Sequence, residues 1–151
     1  MKKAEPIRRF ILIFSAYTYT DKAELNAVLC RVLREIATLN QIIFNFDTKD
    51  YSAGELLSLM VRSSPNEFIL RIDEYDYPLT HALGDEKRFE EFRSYLQSFF
   101  GAVKSICGDL RFFFMTGVGR FARTSVFSQL NNLNDITLKA LGDRIVCDMN
   151  F

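Results

Sequence analysis

Three short apolar runs, RFILIFSA at 9–16, EFILRI at 67–72 and LRFFFM at 110–115, are separated by much longer stretches whose apolar residues return every three or four positions. Runs of this length with little alternation suit strands covered on both faces, as in a parallel sheet. No Asn-Gly or other tight hairpin signal joins them, and each connection is long enough for a right-handed crossover. The chain is therefore expected to be α/β, three-layered, with a mainly parallel sheet.

The connections read as helices. Asp21 followed by Glu24 is a D-x-x-E variant of the capping box, and Leu25, Val28, Leu29, Val32, Leu33, Ile36 and Leu39 follow on one stripe. Ser52-Ala-Gly-Glu55 is a second capping box, opening a helix through Leu56, Leu57, Leu59, Met60 and Val61 that ends at Ser63-Ser-Pro-Asn66. From about 85 to 107 a third helix presents Phe89, Phe92, Leu96, Phe99, Phe100, Val103 and Ile106 as a core stripe. Pro78 is read as a break in the chain, His81 as a loop residue, residues 41–46 as a short apolar segment of open state, and 120–130 as helical or irregular. No repeat, linker or compositional shift divides residues 1–151, which are read as a single domain.

Composition narrows the function classes. Nineteen basic residues balance nineteen acidic ones, so no overall field draws the chain to nucleic acid or to an anionic membrane, and neither is expected as a partner. The longest apolar run, 10–14, is far short of the roughly 20 residues of a membrane span, and no signal peptide precedes it, which implies a cytoplasmic protein. Cys30, Cys107 and Cys147 lack CxxC spacing and His81 is the sole histidine, so neither a disulfide framework nor a zinc site is expected.

In open α/β sheets ligands sit beyond the carboxyl ends of the strands, where this chain collects Asp73, Glu74, Asp76, Thr116 and Arg120. An apolar strand ending in Asp-Glu is the Walker B arrangement: the first acid holds Mg²⁺ and the second polarises the attacking water. Thr116, ending a neighbouring strand, suits a phosphate sensor. Acids also follow buried strands simply to leave the core, and the pattern alone leaves both readings open. The G-x-x-x-x-G-K-[ST] phosphate cradle is absent, as is any Gly-Lys pair. A nuclease built on Asp73, Glu74 and Asp76 lacks a suitably spaced lysine, and His81 has no nucleophile elbow near it. Arg111, Arg120, Arg123 and Lys139 are candidate phosphate or partner contacts, or simply solvated charges.

The strings FILRIDEYDYPL at 68–79 and FFFMTGVGRFARTSVFSQLNNLNDIT at 112–137 resemble the bacterial AAA-ATPase-like domain family, often fused to a PD-(D/E)xK-type nuclease domain. The family reads close to LIDEYDKPL and FLTGVSKFSKVSIFSGLNNLNDIS in the same order, and the resemblance covers about 7–137. It implies part of an ASCE P-loop ATPase core using ATP and Mg²⁺. Asp73 matches the metal-associated acid, Glu74 the catalytic glutamate, Thr116 the sensor, and Arg120 and Arg123 the basic positions after the sensor strand.

Two departures shape the expected function. The family's Walker A motif, near RPRRFGKS, lies upstream of the segment that 8–15 resembles and has no counterpart in these 151 residues, while 138–151 form a divergent tail. A truncated gene, or a domain remnant with an altered tail, is the expectation, and such a chain is not expected to hydrolyse ATP alone. The alternative is a non-catalytic interaction module that pairs with or inhibits a partner. In the family sheet order 5-1-4-3-2, losing strand one leaves 112–114 as an exposed apolar edge, to be covered by a strand from the 144–149 tail, by a second copy or by another protein.

Overall fold

The computed structural model describes residues 7–44, 47, 49–65, 67–118, 134–135 and 144–147. In chain order these form β1 (Arg8–Ile13), a 3-10 turn (Phe14–Ala16), α1 (Lys22–Leu39), α2 (Ala53–Ser63) and β2 (Phe68–Asp73). The one-turn α3 (Tyr77–His81) follows, then α4 (Glu86–Ile106), a second 3-10 turn (Cys107–Asp109), β3 (Phe112–Thr116), β4 (Asn134–Asp135) and β5 (Arg144–Cys147).

The sheet runs β1-β2-β3-β5-β4. Its first three strands are parallel, with Phe10, Leu70 and Phe113 in one row and Leu12, Ile72 and Met115 in the next. β5 lies antiparallel to β3, Val146 opposite Phe114, and β4 is antiparallel to β5. The edge of β3 is thus taken by the 144–147 segment, one of the covers expected for it.

Every second strand residue enters one core: Phe10, Leu12, Phe68, Leu70, Ile72, Phe113 and Met115 are fully buried and cluster with the inner faces of α1, α2 and α4. On the opposite face Ile11, Ile13 and Phe112 are 47%, 37% and 40% exposed. The fold is the expected α/β one with a mainly parallel sheet, and the described helices pack against the face that carries the core. Apolar residues at both parities hid the alternation; Arg9 and Arg71 were its visible signs.

The Ser52 capping box forms as expected, whereas at α1 Asp21 caps the helix without completing a box, because Glu24 reaches the residue before the cap. Asp21 accepts the Glu24 N–H at 2.9 Å, while the Glu24 carboxylate accepts the Thr20 N–H at 2.6 Å. Ser52 Oγ accepts the Glu55 N–H at 3.3 Å and the Glu55 carboxylate accepts the Ser52 N–H at 2.8 Å. Asn26 Oδ1 on α1 accepts from the Ala53 N–H at 2.9 Å and from the Tyr95 hydroxyl at 3.0 Å, tying three helices together. α2 and α4 approach so closely that a Cβ on Gly54 would sit 2.9 Å from that of Ala102.

Other boundaries shift for local reasons. The strand expected at 9–16 stops at Ile13, where the backbone tightens into the 3-10 turn. Pro78 falls in the first turn of α3, where its missing N–H breaks no helical bond, so it opens a helix instead of breaking the chain. His81 closes that helix with its ring 3.9 Å from Tyr77, not in a loop. The 120–130 segment lies outside the described residues.

Ser52→Ala is expected to lower stability by about 1 kcal/mol in urea titration. Hydrogen bonds from Ser52 hold the Glu55 carboxyl below its ordinary range. Its contribution is therefore present above that range and lost as pH falls through the folded-state pKa. The urea midpoints of Glu55→Ala and the parent should differ at neutral pH and converge in acid.

Candidate functional site

Parallel pairing of β2 with β3 sets Ile72 opposite Met115, so the next residues, Asp73 and Thr116, finish their strands side by side. Thr116 Oγ1 donates to Asp73 Oδ1 at 3.1 Å and accepts the Glu74 N–H at 3.4 Å. The Tyr75 N–H donates to the Thr116 carbonyl at 3.1 Å, extending the tie past both strands.

Glu74 turns the chain through a left-handed backbone, φ 53°. For a residue with a Cβ this conformation costs on the order of 1 kcal/mol, and it persists because the flanking bonds hold it. The turn leaves the Glu74 side chain exposed and drives Tyr75 inward, where its ring, 2% exposed, meets Phe100 edge-on at 6.2 Å. Gly117 lies beneath that ring: a Cβ there would come within 2.2 Å of Tyr75 Cε1 and 2.8 Å of Asp76 Oδ1. Asp76 is buried and accepts the Val118 N–H at 2.9 Å, so it fastens the chain leaving β3 and does not join Asp73.

One participant went unmarked in the sequence. Arg71, two residues before Asp73 and so on the same sheet face, grips the carboxylate with Nε at 3.0 Å from Oδ1 and Nη2 at 2.6 Å from Oδ2. The Arg71 side chain is 50% exposed and that of Asp73 15%. The hydrogen bond to Asp73, and then its charge, raise the Arg71 pKa still further. Period two in a strand was the available signal, since a charge inside an otherwise apolar run must face out beside its i+2 neighbour.

The structure thus brings Asp73, Thr116 and the Glu74 backbone together and adds Arg71. It does not gather Asp73, Glu74 and Asp76 into one acidic cluster, and no metal-holding group of three His, Cys, Asp or Glu side chains occurs among the described residues. Asp73 Oδ1 accepts hydrogen bonds from Arg71 and Thr116, and Oδ2 is ion-paired with Arg71, so a cation bound directly to this carboxylate competes with Arg71. Arg111 precedes β3 at the opposite end from Asp73. Arg120, Arg123 and Lys139 lie outside the described residues.

A parallel three-stranded core with its polar residues at the carboxyl edge is consistent with part of a P-loop-like domain. Residues 5–127 match the family described as Predicted AAA-ATPase, and the chain belongs to that family. The "Uncharacterized protein in vnfD 5'region" of Azotobacter chroococcum mcd 1 is 32% identical over 85 residues, 56% of this chain and 16% of that protein. The chain therefore spans only a small part of that relative's length. No solved structure matches. Among the described residues no helix is long and apolar enough to cross a membrane.

Gly117→Ala is expected to destabilise the fold by about 1–3 kcal/mol, because Tyr75 and Asp76 must both move. Gly101→Ala in α4, where an added Cβ meets nothing within 4 Å, should instead stabilise it by about 0.5–1 kcal/mol. Urea midpoints of the two variants check the contrast.

Proposed function

We propose that this chain is the part of an ATPase-like domain that carries the acidic, phosphate-sensing edge of a nucleotide site and does not hydrolyse ATP by itself. One observation carries this reading: Asp73 and Thr116, from adjacent parallel strands, share a hydrogen bond at the carboxyl edge, with Glu74 held just beyond them. Membership in the family supports nucleotide and metal use in general.

On this reading Asp73 is the metal-associated acid, Glu74 orients and polarises the attacking water, and Thr116 positions Asp73 while sensing the terminal phosphate. Arg120 and Arg123 take the basic positions that follow. Nothing in the 151 residues matches the glycine-rich cradle whose backbone N–H groups hold the phosphates, so most triphosphate contacts must come from elsewhere.

Calorimetric titration with MgATP tests the proposal. The parent, Asp73→Asn and Glu74→Gln should all lack saturable binding below roughly millimolar nucleotide, a Kd corresponding to about −4 kcal/mol. Tight binding lost in Asp73→Asn would instead mean that another segment of the chain replaces the cradle. Arg71 and a divalent cation also compete for one carboxylate. Arg71→Met should therefore tighten Mn²⁺ binding, read by electron paramagnetic resonance, by roughly fivefold, the equivalent of about 1 kcal/mol for a solvent-screened charge.

A second reading, an interaction module, is favoured by the exposed Ile11, Ile13 and Phe112 on the face away from the helices. Sedimentation distinguishes it: self-association or capture of a purified ATPase-domain partner, lost in Ile11→Lys, supports an interface on this face.

A further inference from the structure

A cavity of about 220 Å³ opens beyond the carboxyl end of β1, walled by residues 15–19, by Tyr77 and His81 of α3, and by Arg88 and Phe92 of α4. It lies on the β1 side of the sheet's carboxyl edge, and none of its lining residues belongs to the Asp73, Glu74 and Thr116 set.

Its walls are rings and its charge is unmatched. Tyr77 stacks on His81 with centroids 3.9 Å apart, and Tyr19 meets Tyr77 and Phe92 edge-on at 6.4 Å and 5.8 Å. The Arg88 guanidinium lies over Phe92, 5.5 Å from the ring centre. Arg8, Arg71 and Arg93 all have carboxylate partners, whereas Arg88 forms no ion pair among the described residues. Its Nε is shielded from solvent and lacks a hydrogen-bond partner, the one buried side-chain nitrogen or oxygen among the described residues in that state.

Among the described residues no carboxylate lines the cavity. The nearby Tyr19 cannot serve as counter-charge, because burial raises its pKa, Tyr77 adds to the rise, and Arg88 opposes it only in part. The Tyr19 hydroxyl instead donates to the Phe14 carbonyl at 3.0 Å. A buried guanidinium N–H without an acceptor is unfavourable unless something supplies one.

We propose that this cavity binds a small oxyanion, a carboxylate or a phosphate ester, carried on a flat ring, with Arg88 as its counter-charge and the aromatic walls holding the ring. The position suits the role, since open α/β sheets bind ligands outside the carboxyl ends of their strands. Size sets the class: the cavity is smaller than the roughly 300 Å³ at which drug-sized pockets begin, so the occupant is smaller than a nucleoside triphosphate. The half-buried Tyr77 and exposed His81 rings match a ring, while the guanidinium matches the oxygens of either acid.

Amide NMR titration of the full chain with benzoate and phenyl phosphate tests this, with acetate, inorganic phosphate and benzyl alcohol as probes lacking the ring or the charge. Benzoate, phenyl phosphate or both should shift the signals of residues 15–19 and 77–92 saturably, and the tighter of the two identifies the acid. Arg88→Met should weaken that binding about tenfold, and Asp73→Asn should leave it unchanged. The proposal is overturned if neither acid saturates by tens of millimolar, if benzyl alcohol binds the parent as tightly as the acids, or if folded Arg88→Met binds like the parent. The benzyl alcohol comparison needs no variant, so it decides the matter even where Arg88→Met fails to fold.

Discussion

Ile72 of β2 lies opposite Met115 of β3, and from that register the carboxyl edge of the sheet takes its form. A slip of one residue would send Asp73 toward the helical core and bring Ile72 out, exchanging a buried apolar side chain for a buried acid. The core therefore enforces the geometry of the site: Leu70 and Ile72 can be buried only if Arg71 and Asp73 share the outer face. Thr116, reaching the same row from β3, then has Asp73 as its neighbour, and Glu74 must turn away through an uncommon backbone conformation to let Tyr75 fill the space over Gly117.

The architecture was legible wherever one physical signal acted alone. Helical periodicity located α1, α2 and α4 to within two residues at their amino ends, and at α1 and α2 the Asp21 and Ser52 caps marked where the apolar stripe begins. Parallel pairing followed from connection length. Burial was harder to read. RFILIF contains Ile11 and Ile13, which a strand buried on both faces would also carry, and composition cannot separate an open apolar face from a covered one. Pro78 misled for a similar reason: the residue that interrupts a helix in its interior is favoured at its start, and which role it plays depends on where the preceding strand lets go.

At the site, Asp73, Glu74 and Thr116 could be marked because their residue types carry known chemistry at strand ends. Arg71 could not, since an arginine within a strand is ordinarily a solvated charge. Its importance comes from two facts together, period two along β2 and the partial burial of Asp73, and only the second needs three dimensions. Arg88 was hidden more deeply. On α4 it reads as one polar residue of an amphipathic helix, and its meaning depends on the tyrosines that the 15–19 loop and α3 bring against it from distant parts of the chain.

Arg71 and Arg88 illustrate opposite solutions to one electrostatic problem at the same edge of the sheet. Arg71 is half in solvent, and its carboxylate partner is supplied two residues along its own strand, so the pair is complete without any ligand. Arg88 lies over the Phe92 ring, whose face attracts a cation but provides no hydrogen-bond acceptor for its buried Nε–H. An incoming anion therefore gains little from Arg71, whose charge Asp73 already balances, and more from Arg88. An incoming cation meets the reverse order, because Asp73 attracts it only after releasing Arg71. The edge is in this way divided between a self-neutralised acidic position on β2 and an unneutralised basic one beyond β1, and a ligand bearing both charges would feel the two as separate steps.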